Sequence, residues 1–187
     1  STPSIVRGSL QEQRFTTQPT ASFVNGQTSS SNTIRILSDE PVNWRVSEGG
    51  SGVDGWFLDL KVGDTVEGER IVDEMAARGQ VLFLTTRTPS TDPCEAGLTG
   101  WTYGINPYTG GQTKFAVFDF NRDGRIDNAD SYSDDGTPVP VSGFQAPGGG
   151  FTLSGGTLFT TDGESIDVNF GPTVSGRQSW QFLPEDQ

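Results

Sequence analysis

Lys114–Asp130 reads KFAVFDFNRDGRIDNAD, and its two halves together decide the fold class. In the residues from Asp119 to Asp130, oxygen-bearing side chains stand at the first, third, fifth, ninth and twelfth places, with glycine at the sixth. A hard cation takes about six to eight oxygens at short range, and a loop supplies them by curling around the ion. The spacing is that of an EF-hand-type calcium loop. Asp119, Asn121 and Asp123 would offer side-chain oxygens and Arg125 its backbone carbonyl. Asp127 would bind directly or through water, and Asp130 would close the shell. Gly124 permits a sharp turn that a side chain would obstruct. Ile126, the one apolar residue in the second half, is expected to anchor the loop to a core. The competing explanation is an acidic turn, since Asp, Asn and Gly favour turns anyway. The filling of every ligand position favours calcium.

The flanks separate this loop from an EF-hand proper, which has a helix on each side. Lys114–Phe118 is short, apolar and aromatic and predicts a strand. The exit, SYSDDGTPVPV over 131–141, has no helical period, carries two prolines and predicts an irregular segment. A helix-pair opening switch is therefore not expected. Closure by Asp130 rather than Glu shortens the last ligand. The expected role is to brace a loop, with affinity tuned to extracellular calcium.

Working outward, Thr33–Leu37 (TIRIL), Val42–Val46 (VNWRV), Gly55–Leu60 (GWFLDL) and QVLFLTT from Gln80 predict strands, as do SIDVNF and RQSWQFL near the end. FTLSGGTLFTT predicts a hairpin about Gly155–Gly156. Residues 17–33, rich in Thr, Ser, Gln and Asn, predict an exposed connection. VDEMAAR supports one helical turn at most, with Gly79 as its cap. With no sustained helical pattern, the whole of 1–187 is expected to be a single all-β region.

Composition agrees. The chain carries 25 glycines and 11 prolines, which suit many loops, and 12 Phe, 4 Trp and 3 Tyr, which can build a core of large rings. Its net charge of −12 repels phosphate backbones and anionic lipid, arguing against nucleic acid as a partner. The longest apolar run, Val81–Leu84, is far too short to cross a bilayer. Cys94 is alone, so it makes no intrachain disulfide, and without any histidine to activate it a buried thiol is expected rather than a nucleophile. The chain opens with STPS instead of methionine and is expected to be a mature or excised portion of something longer.

Other candidates are weaker. Asp134–Asp135 fit a solvated turn better than an outer metal shell. Asp162 and Glu164 invite comparison with a glycosidase pair, but TDGES predicts an exposed hairpin tip, where no carboxyl acquires the raised pKa of a catalytic acid. Trp44, Trp56, Trp101 and Trp180 lie in strand-like stretches and are expected to pack in a core rather than stack on sugar. No phosphate loop, catalytic triad or zinc pattern occurs, and no enzymatic activity is expected.

Several motifs occur in a telling order: GWFLDL, GERIV, VLFLTTRTPSTDPCEAG, GWTYGINPYTGG, the aspartate loop and a terminal SGRQSWQFLP. This arrangement, strongest over 55–183, resembles the C-terminal region of the PilC/PilY class of type IV pilus tip-associated adhesins. The resemblance implies β-propeller-type blades of four strands, of which this chain would hold a part. It further implies secretion to the bacterial surface at the pilus tip, and contacts with pilus tip or minor pilin components and with a host-cell receptor or surface. Pilus assembly, a balance of extension and retraction that drives twitching motility, and adhesion are the implied roles, with Ca2+ as cofactor. The alternative from another class is a secreted carbohydrate-binding or dockerin-like scaffold module. Dockerin loops share the Asp-x-Asn-x-Asp-Gly order but come as two copies with helices. A secreted hydrolase fragment is the third alternative.

Overall fold

Val81–Thr88 and Thr99–Ile105 are buried or half-buried at every position but Thr99, so the sheet they build is covered on both faces. In the computed structural model, which describes residues 5–26, 28–47, 50–90, 99–147, 149–161 and 163–172, they lie in the middle of a curled, half-barrel sheet. The strands are β1 Leu10–Gln13, β2 Phe15–Thr17, β3 Thr20–Asn25, β4 Thr28–Leu37, β5 Gly55–Leu58, β6 Ala76–Arg78 and β7 Val81–Thr88. They continue as β8 Thr99–Ile105, β9 Tyr132–Asp134, β10 Thr137–Val139, β11 Gly143–Pro147, β12 Phe151–Ser154, β13 Thr157–Thr160 and β14 Ser165–Asp167. The main sheet runs β2–β4–β11–β8–β7–β6, with β3 continuing β2 along the same edge of β4. A three-stranded sheet β12–β13–β14, a parallel pair β1–β5 and a hairpin β9–β10 complete the set. Among the described residues there is no α-helix.

Each face of the main sheet has its own core. Ile34, Ile36, Val81 and Phe83 point to one side, where Val117, Phe118, Phe120 and Leu158 cover them. Phe15, Leu37, Leu84, Trp101, Tyr103 and Ile105 point to the other, under Trp56, Leu58 and Leu60 from β5 and the chain after it. Alternation along a strand sends neighbours to opposite faces, so both phases of VLFL are buried.

The structure departs from the sequence-based expectation in several places. Residues 17–33 are a hairpin, not a connection, because Ala21 and Phe23 bury one side of β3 while its polar residues face solvent. Val42–Val46 is not a strand: Trp44 makes one bridge to Val53, and Val46 is fully in solvent. VDEMAAR forms no helical turn; its end is β6, and Gly79, at φ 57°, turns the chain into β7. Residues 131–141, expected to be irregular, contain the β9–β10 hairpin turned by Asp135 and Gly136, both at positive φ. Pro93, Cys94, Asp162, Trp180 and the expected strand at 177–183 lie outside the described residues.

A charged residue in the middle of β4 has to be accommodated between these layers. Arg35 is buried against the rings of Trp101 and Phe15, its guanidinium 3.8 Å from the Trp101 ring centre. Its Nε donates to Gln18 Oε1 at 2.7 Å, and its Nη1 donates to Glu69 Oε2 at 2.6 Å and to the Tyr103 hydroxyl. Glu69 also accepts from Tyr103 Oη at 2.8 Å and Thr86 Oγ1 at 2.6 Å. Burial, with the Glu69 charge beside it, holds the Tyr103 phenol well above its ordinary pKa. Glu69→Ala leaves Arg35 charged and buried without its counter-ion, at a cost of roughly 3–5 kcal/mol. Urea denaturation measures this, and a midpoint equal to the wild type would show that the pair does not hold the layers together.

Candidate metal centre

Phe118 and Phe120 bring the aspartate loop to the core. The expected strand Lys114–Phe118 makes only one bridge, Phe118 to Val168, flanked by Asp119 N donating to Asp167 O at 3.0 Å and Asn169 N to Val117 O at 2.8 Å. The segment is extended, but the packing of its rings ties it in more firmly than a ladder does. Phe120 stacks on Phe23 with ring centres 4.5 Å apart and meets Phe144 edge-on at 5.6 Å. Ser30 Oγ donates to Phe120 O at 2.6 Å, and Asn25 Nδ2 donates to Arg122 O at 3.3 Å. Ile126 is half-buried; the firmer anchor is at the start of the loop, through Phe118 and Phe120, rather than in its second half.

From that anchor the chain folds back on its own side chains. Asp119 Oδ1 accepts from Asp123 N at 3.2 Å and Oδ2 from Gly124 N at 3.0 Å. Asn121 Oδ1 also accepts from Asp123 N at 2.9 Å, and Asp123 Oδ1 accepts from Arg125 N at 2.8 Å. Arg122 at φ 58° and Gly124 at φ 78° make the turn. A Cβ on Gly124 would meet nothing within 4 Å, so glycine is required there by backbone conformation, not by space. Asp130 reaches back, accepting from Asn121 N at 3.0 Å and Asp127 N at 3.1 Å. Asp127 caps the short 3-10 turn Asn128–Asp130 by accepting from Ala129 N at 2.8 Å.

Asp119, Asn121 and Asp130 are thus buried at the base of the loop, while Asp123, Arg125 and Asp127 are exposed on its outer side. Among the described residues, no three acidic side chains are gathered into a ready cation cage. The donors available are all oxygens, the set that suits a hard cation such as calcium. Burial pushes the Asp130 carboxyl above its usual range; amide donors from Asn121 and Asp127 pull it down, and the Asp119 charge pushes it up again. A cation would relieve both the burial cost and that repulsion.

Sequence reasoning overlooked the residues that hold the loop. Asn25 and Ser30 belong to a stretch expected to be a connection; away from the loop, the burial of Arg35 within the predicted strand Thr33–Leu37 was also missed. Its place between Ile34 and Ile36 was the available signal, since it put a charge in the middle of a well-formed strand. Asp134 and Asp135 are exposed at the β9–β10 turn. Glu164 is exposed and pairs with Arg122 at 3.3 Å. Trp101 is buried and Trp56 half-buried, donating to Pro107 O at 3.1 Å, whereas Trp44 is exposed rather than packed in a core.

No family model matches the chain. It is 44% identical over 186 residues to the type IV pilus biogenesis factor PilY1 of Pseudomonas aeruginosa PAO1, covering 97% of this chain and 16% of the relative. Over 77 residues it is 40% identical to a PilY1 homolog of Xylella fastidiosa, covering 39% of this chain and 6% of the homolog. The crystal structure of the P. aeruginosa PilY1 C-terminal domain superposes with a TM-score of 0.80 at 40% identity, over 92% of this chain and 34% of that one. The chain therefore spans 16% of the length of the P. aeruginosa PAO1 relative.

A pH dependence follows from the buried carboxyl. The Asp130 pKa is raised in the folded state, so its stabilising contribution is complete below the unfolded value of about 3.9 and is lost as pH rises through the folded value. Chelator-treated protein should lose more stability over that interval than Asp130→Asn, whose side chain cannot ionise. Parallel stability profiles for the two would refute the assignment.

Proposed function

Because this chain is a PilY1-type C-terminal region, we propose that it serves as a non-enzymatic, calcium-binding module of a type IV pilus biogenesis and tip adhesin protein. The observation that carries the pilus reading is 44% identity extending over nearly the whole chain. The calcium reading rests on the loop, whose oxygens stand in ligand order and whose first residues are clamped to the core. In this proposal Asp119, Asn121, Asp123, the Arg125 carbonyl, Asp127 and Asp130 hold Ca2+. The protein acts outside the cell at the pilus tip, in contact with pilin components and with a host receptor or surface. Assembly, the balance of extension and retraction, and adhesion are its roles.

The physical link between ion and function is short. Carboxylates crowded in one loop repel each other until a cation neutralises them, and binding then orders the loop and stabilises the fold by mass action. Phe120 transmits that order to β3 and β11 through its contacts with Phe23 and Phe144. We further propose that the region supplies part of a propeller-type assembly of four-stranded blades. That view rests on the motif order that resembles the PilC/PilY class and on the match to the PilY1 C-terminal domain; among the described residues the sheets have seven, three, two and two strands. A dockerin-type module, by contrast, expects a helix on each side of the loop. Here the described flanks are an extended segment before the loop and the β9–β10 hairpin after it.

Calorimetric titration of chelator-stripped protein should find one saturable calcium site. Stability should rise by about 2.7 kcal/mol when free calcium is a hundred times Kd. The exposed pair Asp123→Asn with Asp127→Asn should fold normally and lose that gain. An unchanged calcium-dependent shift in melting temperature in the double variant would remove the site from these residues. Placed in the full-length protein, the same pair should reduce twitching motility, and wild-type motility would detach calcium from pilus function.

A further inference from the structure

A hairpin distant in the chain holds one side of the aspartate loop. β3 and β4 make three contacts with the loop's first turn. Phe23 stacks on Phe120 with ring centres 4.5 Å apart, Ser30 Oγ donates to Phe120 O at 2.6 Å, and Asn25 Nδ2 donates to Arg122 O at 3.3 Å. The 3-10 turn at the other end of the loop also rests against β3. Ser30 precedes Phe120 by 90 residues and Asn25 precedes Arg122 by 97, so no local preference of the loop sequence produces these contacts.

The two hydrogen bonds fall on particular peptide groups. Phe120 O belongs to the peptide whose amide, Asn121 N, donates to Asp130 Oδ1 at 3.0 Å. Arg122 O belongs to the peptide whose amide, Asp123 N, donates to Asp119 Oδ1 at 3.2 Å and to Asn121 Oδ1 at 2.9 Å. Each peptide is thus gripped at both ends, its carbonyl by a hairpin side chain and its amide by side chains of the proposed ligand set. A peptide group is planar, so fixing its carbonyl fixes the direction of its N–H. A hydrogen bond accepted by the carbonyl also polarises the group and strengthens the bond that its amide donates. Ser30 and Asn25 therefore act on Asp119, Asn121 and Asp130 through the backbone between them.

We propose that the β3–β4 hairpin sets the calcium affinity of the loop, with Ser30 as the principal positioning residue and Asn25 as a second. This inference rests on the calcium reading above and adds to it residues outside the ligand set. Ser30 has the larger effect because its bond is shorter and partly buried, whereas that of Asn25 is longer and exposed. Removing a group that orients metal ligands from behind lowers affinity by roughly 10- to 100-fold. Coupling is reciprocal, so an ion that tightens the loop also steadies the hairpin that holds it.

The experiment is calorimetric titration of calcium into the chelator-stripped chain and its variants. Ser30→Ala should weaken binding roughly tenfold or more, and Asn25→Ala should weaken it by less. Ser30→Thr keeps the hydroxyl, and its extra methyl has room because Ser30 lines a cavity of about 310 Å³, so it should retain the wild-type affinity. Ser29→Ala, at an exposed neighbouring position, should also bind as the wild type does. Circular dichroism checks that each variant folds. In hydrogen exchange, calcium should slow the β3–β4 ladder amides of the wild type and slow them less in Ser30→Ala. The proposal fails if Ser30→Ala binds calcium as tightly as the wild type, even when it melts lower, since Ser30 would then have a purely structural role. It fails equally if Ser30→Thr is as weak as Ser30→Ala, because shape and not the hydroxyl would then matter. Should Ser30→Ala not fold, wild-type affinity in Asn25→Ala overturns the proposal. A wild-type chain that takes up no calcium overturns the calcium reading and this inference with it, whereas uptake with unchanged affinity in the variants overturns only the present one.

Discussion

Burial of the main sheet on both faces is the constraint on which the other features depend. An antiparallel sheet commonly leaves one face to water, so that charged residues alternate outward at no cost. Here β5 and its extension cover one side, while the 115–120 segment and the three-stranded sheet cover the other. Any polar side chain in mid-strand must then find partners inside. Arg35 does so through Glu69, Gln18 and Tyr103, and the irregular chain after β5 is drawn in to deliver Glu69. That chain has little regular structure of its own and is held by what it covers.

The same two-sided burial explains how the aspartate loop is anchored without helices around it. In an EF-hand the flanking helices fix the ends of the loop. In this protein Phe118 and Phe120 sink into the core immediately before and within the first ligand positions, and the β3–β4 hairpin holds the loop backbone through Asn25 and Ser30. Asp119, Asn121 and Asp130 are buried and form the base of the loop, whereas Asp123 and Asp127 are exposed. On the proposed calcium reading, the ion would adjust local order and stability, because there is no pair of helices to swing apart.

The sheet also contains its own discontinuity. The β4–β11 ladder stops after Phe144 pairs with Ile34, and the Phe120 ring that anchors the aspartate loop contacts both Phe23 of β3 and Phe144 of β11 there.

Chemistry and local pattern were legible in the sequence. The spacing of oxygen-bearing side chains from Asp119 to Asp130, the glycine that turns the loop, the all-β class, and the strands at Val81–Thr88 and around Gly155–Gly156 depend on side-chain type and short-range spacing, which a single chain displays directly. The motif order from GWFLDL to SGRQSWQFLP likewise carried the family. Three-dimensional packing decided the rest. A serine-rich stretch became β3 and β4 because Ala21 and Phe23 found a core on one side, and Val42–Val46 failed as a strand because nothing covers it. Arg35 became a buried ion-pair residue only because a second layer closed over its face of the sheet. Sequence periodicity states which residues share a face; which faces are covered, and by what, depends on contacts between residues far apart in the chain, and those arise only in the folded structure.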